Sequence, residues 1–290
     1  MNEMVVNWHI TEACNYHCRY CFAKWEHNGR ELVHTPAHLQ TVVSEIPKLI
    51  DIINKKFGSD FQIIRLNLVG GEPLLYPEAI KNIVAGAADS GLVLSIITNG
   101  SLLDKQWIEI LTRSFVQIGL SVDSVREQTN AAIGRKTNKL ISQPDKLVES
   151  IAAMRAISPN IGIKINTVVN ELNFNEDMNG LIAAVLPQKW KIFKMLPIVT
   201  NALSISQQQF EHFLANHQKF RSIISAENND EMTQSYLMID PEGRFFQNTQ
   251  GGGAYQYSRP IHQVGIEQAF DEITFHLDKF KHRYIPVYAV

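Results

Sequence analysis

The chain has 290 residues, 45% of them hydrophobic, with 16 glycines and 11 prolines, which supplies a large buried core and argues against disorder. Twenty-seven Lys plus Arg against 29 Asp plus Glu leave a net charge of -2, so no broad basic face for nucleic acid is expected, although a local basic pocket remains open. No apolar run is long enough to span a bilayer and Met1 to Trp8 carries Glu3 within only a short apolar stretch, so the chain reads as cytoplasmic, with no signal peptide and no membrane partner.

A strand-like run, Val5 to Ile10, leads into a loop holding Cys14, Cys18 and Cys21, and polar residues from Trp25 to Thr35 form a connection. Pro36 suits the first position of a helix; Leu39, Val42, Val43, Ile46 and Leu49 follow at helical spacing, with a break or kink near Pro47 and a continuation to Lys56. Strand and helix then alternate. Strand 63–69 runs into Gly70-Gly71-Glu72-Pro73 and helix 78–90; strand 93–97 ends at Thr98-Asn99-Gly100 before helix 104–112; strand 116–122 ends at Asp123-Ser124. Helix 145–156, strand 162–169, helix 177–185, strand 189–196 and helix 206–217 complete the pattern. Such units predict an α/β fold with parallel strands and sites at their C-terminal ends, and a count nearer six than eight favours a partial, TIM-like (β/α)6 barrel. Beyond it, Asp240-Pro241-Glu242-Gly243 reads as a hairpin turn between 235–239 and 244–247, Gly251 to Gly253 as a mobile loop, and 266–270 with 273–280 as helical. The expected division is a core over 1–200 and a closing extension over 201–290.

All three cysteines fall within eight residues, too tight and too odd in number for a disulfide framework, which points to a reducing compartment. Three thiolates on a [4Fe-4S] cube would leave one iron open for a non-protein ligand. A zinc site completed by His9, His17 or His27 is the rival, and three unligated thiols are a further reading. The spacing Cys14-x3-Cys18-x2-Cys21, with Tyr20 directly before the third cysteine, resembles the signature of the radical SAM superfamily. That resemblance implies a [4Fe-4S] cluster whose open iron chelates S-adenosylmethionine and whose electron releases a 5'-deoxyadenosyl radical.

Gly70, Gly71 and Glu72 end a strand some fifty residues after the cysteines; two glycines let the backbone approach a ligand closely, while the plain alternative is a strand-ending turn. In the superfamily a matching motif binds the amino group of the cofactor. Thr98, Asn99 and Ser121 lie at the next two strand ends, where they either contact the cofactor or cap the following helices. Ser121 resembles a ribose contact and Arg135 the partner of the methionine carboxylate, with a surface arginine as the alternative.

A second set is basic and amide-rich. Arg65 with Asn67, and Lys164 with Asn166, sit at i and i+2 on their strands and so share a face; Lys191 is preferred to Lys194 on a third strand. Facing inward, such cations need an anion and would form a phosphate-binding mouth; facing outward, they would pair with flanking helices. From the first strand to about Asn248 the chain resembles the viperin family in its prokaryotic form, through Cys14 to Phe22, Asn67 to Leu74, Ser95 to Leu102, Ser121 to Arg135, Lys164 to Met178, Lys189 to Leu196, Tyr236 to Asp240 and Arg244 to Phe246. The resemblance implies dehydration of a nucleoside triphosphate (CTP, UTP or GTP) to its 3'-deoxy-3',4'-didehydro form in antiviral defence. It assigns Arg65, Lys164 and Lys191 to the triphosphate, Asn67 and Asn166 to phosphates and sugar, and Tyr236 to the substrate side. It further implies an external electron donor such as flavodoxin or ferredoxin; a monomer is the expected state. Three departures from animal members stand out: no amphipathic helix precedes the first strand, the loop Thr249 to Tyr255 lacks lysine and arginine, and the tail Tyr284 to Tyr288 lacks tryptophan. Gln247 to Ser258 is a candidate lid. Another radical SAM reaction, on RNA or a small metabolite, and a zinc-stabilised binding module remain the alternatives.

Overall fold

The computed structural model describes residues 2–21, 28–138, 141–197, 200–227, 236–248 and 255–282; the glycines of the expected lid and the tail from Tyr284 lie outside them. Along the chain the elements are β1 (Glu3–His9), α1 (Pro36–Glu45), α2 (Leu49–Phe57), β2 (Ile63–Val69), α3 (Pro77–Ser90), β3 (Val93–Thr98), α4 (Lys105–Ser114), β4 (Gln117–Ser121), α5 (Glu127–Ile133) and α6 (Pro144–Ile157). They continue as β5 (Gly162–Val169), α7 (Asn179–Val185), β6 (Lys189–Lys194), α8 (Gln207–Asn216), β7 (Ile224–Glu227), β8 (Leu237–Ile239), β9 (Arg244–Asn248), β10 (Tyr255–Pro260), α9 (Ile261–Val264), α10 (Ile266–Asp271) and α11 (Leu277–His282). This is an α/β fold with mixed strand pairing, divided into two compact units.

The first unit holds Met1–Ala13, Ala23–Ile96 and Asp230–Pro286. Its strands run in the order β10-β9-β8-β1-β2-β3, parallel from β8 to β3 and antiparallel across β8, β9 and β10. Alternation explains β2: Ile64, Leu66 and Leu68 are buried in the core, while Arg65 and Asn67 share the other face. Leu39, Val42, Val43, Ile46 and Leu49 are all buried, and the break at Pro47 is a single 3-10 turn, Ile46–Lys48, between α1 and α2. The hairpin turn forms as expected: Asp240 Oδ1 accepts from Glu242 N at 3.0 Å and Arg244 N at 2.8 Å, and Gly243 takes φ 76°.

The second unit holds Cys14–Phe22 and Ile97–Asn229. Strands β4, β5, β6 and β7 are parallel neighbours, with Ile118, Leu120, Ile163, Ile165, Trp190 and Ile192 buried between them and their helices. Trp190 Nε1 donates to Thr167 Oγ1 at 2.9 Å, and that hydroxyl donates to Val122 O at 2.6 Å, so the large indole is satisfied where it is buried. The helix α8 starts at a capping box, Ser206 with Gln209. Among the described residues no helix is long and apolar enough to cross a membrane.

Candidate active site

The approach to the cysteines is built within the first unit. Gly71 N donates to Thr11 O at 2.8 Å and Glu72 N to Ala13 O at 2.8 Å, which binds the end of β2 to the segment leaving β1. A Cβ on Gly71 would stand 2.1 Å from Ala13 O, and one on Gly70, at φ 134°, 2.4 Å from Thr11 O. The glycines are therefore required for the approach of the chain to itself, a reason distinct from the ligand approach that the motif suggests. Glu72 is fully buried and its carboxylate accepts from Leu74 N at 3.1 Å. On the other side, buried Glu31 accepts from Thr11 Oγ1 at 2.8 Å and Glu12 N at 2.6 Å.

Within the second unit, the cysteine loop is held by α5, a helix that has no apolar periodicity to announce it. His17 N donates to Gly134 O at 3.0 Å and Arg19 N to Ile133 O at 2.9 Å, while a Cβ on Gly134 would meet His17 O at 2.2 Å. Cys14, Cys18 and Cys21 are half-buried cysteines, and Cys21 N donates to Cys18 O at 3.0 Å. Tyr16 N lies 3.4 Å from Cys14 Sγ, and Asn99 Nδ2 lies 3.8 Å from the same sulfur and 2.8 Å from Asn15 Oδ1. Asn99 Oδ1 also accepts from Ser101 N at 2.9 Å and Thr98 Oγ1 from Gly100 N at 3.0 Å, so the turn-forming role of these residues is realised together with contact to the cysteine loop.

Asp123, at the end of β4, joins the cysteine loop to Arg135. Its Oδ2 accepts from the Tyr20 hydroxyl and from Arg135 Nη1 at 3.1 Å, and its Oδ1 from Val168 N at 2.9 Å. Arg135 Nη2 donates to the Ser121 carbonyl, and its guanidinium lies 5.6 Å from the Tyr16 ring centroid. Arg135 is thus a buried ion-pair residue and not a surface arginine; its Nε is buried with no hydrogen-bond partner among the described residues. Burial alone would pull the guanidinium down, yet Asp123, followed by Tyr20, holds its pKa above the ordinary arginine value. Burial and then Asp123 push the Tyr20 hydroxyl well up. Asp123 bears no mark in the sequence beyond its place at a strand end.

The basic residues fall into both units. In the first, a polar line crosses three strands in register, Asn7, Asn67 and Ser95: Asn67 Nδ2 donates to Asn7 Oδ1 at 2.8 Å and Ser95 Oγ to Asn67 Oδ1 at 2.8 Å. Arg65 joins it through Nη1 to Ser95 Oγ at 3.1 Å, with Nε on Glu3 Oε1 at 3.0 Å. Tyr236 is half-buried and its carbonyl accepts from Gln247 Nε2 at 2.7 Å. In the second unit Lys164 and Asn166 are both 9% exposed, and Asn166 Oδ1 is buried with no partner among the described residues. Lys191 lies opposite Asn166 in the β5–β6 register and pairs with Glu227 at 2.5 Å. Lys194 Nζ instead reaches Gln207 Oε1 at 3.3 Å at the surface.

A family model, the Radical SAM superfamily, matches residues 8–181. An S-adenosylmethionine-dependent nucleotide dehydratase of Psychrobacter lutiphocae is 51% identical over 282 residues, covering 97% of this chain and 95% of that protein. The chain belongs to the viperin-like family of radical SAM nucleotide dehydratases. A nucleotide dehydratase of a Fibrobacter species is 38% identical over 98% of this chain and 89% of its own length, and RSAD2 of Danio rerio 31% identical over 93% and 75%. Among solved structures, anSMEcpe with bound AdoMet superposes with a TM-score of 0.69 at 14% identity, covering 97% of this chain and 82% of that one, a likeness of fold. Streptococcus suis SuiB bound to its precursor peptide gives 0.59 at 14% identity, over 96% and 64%.

The family uses a [4Fe-4S] cluster and S-adenosylmethionine as cofactors. The donor set fits the cluster. Burial pushes the Cys18 thiol up to about 12, opposed by Arg135 and reinforced by Asp123 and the other two cysteines, so iron held there would have to displace the thiol proton. No three His, Cys, Asp or Glu among the described residues converge on a single ion. A cube places each thiolate on a different iron and has no need of such convergence.

Proposed function

We propose that this chain dehydrates a nucleoside triphosphate, CTP, UTP or GTP, to its 3'-deoxy-3',4'-didehydro analogue, in defence against phage. The observation that carries the reading is the buried pair on β5: Lys164 supplies a cation, and two residues on Asn166 presents a carbonyl oxygen that has no donor among the described residues. An unsatisfied buried acceptor beside a buried cation suits a ligand that brings hydroxyls together with negative charge, as a sugar phosphate does. The 51% identical relative bears the name of a nucleotide dehydratase, and the present reading agrees with it.

When bound, the cluster and S-adenosylmethionine supply the radical that takes a hydrogen from the substrate. Cys14, Cys18 and Cys21 would hold the cluster. Gly70, Gly71, Glu72, Thr98, Asn99, Ser121 and Arg135 are carried as the cofactor side, with Arg135 Nε left for a carboxylate. Lys164 and Lys191 would neutralise phosphates, with Arg65 and Asn67 as further nucleotide contacts. Asn166 would accept from a sugar hydroxyl and so fix the orientation of the ring, while Tyr236 is carried as a catalytic residue of the substrate side. Loss of the C4' hydrogen, departure of the 3'-hydroxyl with a proton as water, and gain of one electron from an external donor such as flavodoxin or ferredoxin give the 3',4' alkene. The protein is read as a cytoplasmic monomer.

The test is anaerobic turnover of the reconstituted chain with CTP, UTP and GTP in separate reactions. A product one water lighter than its substrate supports the reading. S-adenosylmethionine cleavage that none of the nucleotides stimulates, with no such product, would refute it.

A further inference from the structure

We propose that Glu227 is an internal competitor for the Lys191 ammonium and thereby sets how tightly nucleotide binds, an inference that rests on reading Lys191 as a phosphate contact. Strands β6 and β7 are adjacent and parallel, and Lys191 Nζ stands 2.5 Å from Glu227 Oε1. Their side chains are only 14% and 7% exposed, so water screens the pair poorly. Lys191 Nζ also lies 5.3 Å from the Phe193 ring centroid, which places an apolar wall beside the ion pair.

A phosphate that reaches Lys191 meets this carboxylate at close range. It must take the ammonium from Glu227 or share it, and in either case like charges face each other in a low-dielectric setting. Two such charges about 5 Å apart, at an effective dielectric of about 20, repel by enough to weaken binding more than tenfold. Arg65 makes a similar bond to Glu3, but that carboxylate is 37% exposed and water damps its charge. The two pairs therefore differ in consequence: Glu227 governs affinity, and Glu3 contributes little.

The test is nucleotide binding by the reconstituted full chain with S-adenosylmethionine and no reductant, so that no turnover occurs, titrated calorimetrically with CTP, UTP and GTP. Glu227→Gln removes the charge and keeps the shape; it should tighten binding by about tenfold or more. Glu227→Asp retracts the carboxylate by one methylene and should give an intermediate gain, and it carries the test if the glutamine variant does not fold. Wild-type binding with unchanged or weaker binding in both variants overturns the role of Glu227 while leaving the nucleotide reading intact. Absence of binding by the wild type removes the nucleotide reading itself, and this proposal with it.

Discussion

The Tyr20 hydroxyl donates to Asp123 Oδ2, the same carboxylate oxygen that receives Arg135 Nη1 at 3.1 Å. One side chain thus restrains both the cysteine loop and the buried arginine. Asp123→Asn keeps the size but leaves Arg135 without its counter-charge, which should cost about 3 kcal/mol of folding stability. Tyr20→Phe should cost about 1 to 2 kcal/mol, since it removes one hydrogen bond to a charged acceptor. Denaturant unfolding of the metal-free chain measures both; an unchanged midpoint for Asp123→Asn would contradict the assignment.

Gly71→Ala forces a Cβ to within 2.1 Å of Ala13 O, so the end of β2 and the segment entering the cysteine loop must separate. The expected loss is about 2 kcal/mol or more, together with reduced iron uptake on reconstitution. Gly29→Ala, where nothing lies within 4 Å of the added carbon, is the control and should behave as wild type.

Acid should weaken the fold through two histidines. Burial lowers His9 from 6.5 to about 4, and burial likewise lowers His217, whose Nδ1 lies 2.7 Å from Phe213 O while Nε2 accepts from Met178 N at 2.9 Å. Both nitrogens of His217 are used as a neutral ring uses them, so protonation breaks the bond from Met178. Because each folded pKa lies below the unfolded one, the stabilisation is present above pH 6.5 and is lost as pH falls, for His9 down to about 4. For His9 alone the loss is roughly 3 kcal/mol. Unfolding free energy measured between pH 7.5 and 4.5 should fall, and less steeply in His9→Leu.

Lys164→Ala should raise the nucleotide dissociation constant roughly tenfold to a hundredfold while slow uncoupled cleavage of S-adenosylmethionine persists. Cys18→Ala should abolish iron binding and both reactions. Nucleotide titration and 5'-deoxyadenosine release distinguish the two variants.

Much of the scaffold is legible in the sequence because its signals are local. The alternation in 63–69 and 162–169 gives β2 and β5 their observed bounds, and Asp240-Pro241-Glu242-Gly243 gives the hairpin. Three of the elements that escape that reading do so for clear physical reasons. The helix α5, Glu-Gln-Thr-Asn-Ala-Ala-Ile, has no apolar stripe; β7, Ile-Ser-Ala-Glu, is too short to show a period; β10 carries serine, arginine and a terminal proline. The cysteine spacing and the buried Lys164 and Asn166 could be singled out from residue type and parity. Glu31 and Glu227 could not, and Asp123 shows only its place at a strand end, since each acts through a partner distant in sequence and an isolated acidic residue looks like any surface carboxylate until its partner is placed.

Abstraction of the C4' hydrogen is tested by anaerobic turnover with a nucleoside triphosphate deuterated at C4'. Deuterium should appear in 5'-deoxyadenosine as the nucleotide loses water. Formation of 5'-deoxyadenosine free of deuterium, with the nucleotide recovered intact, would contradict it.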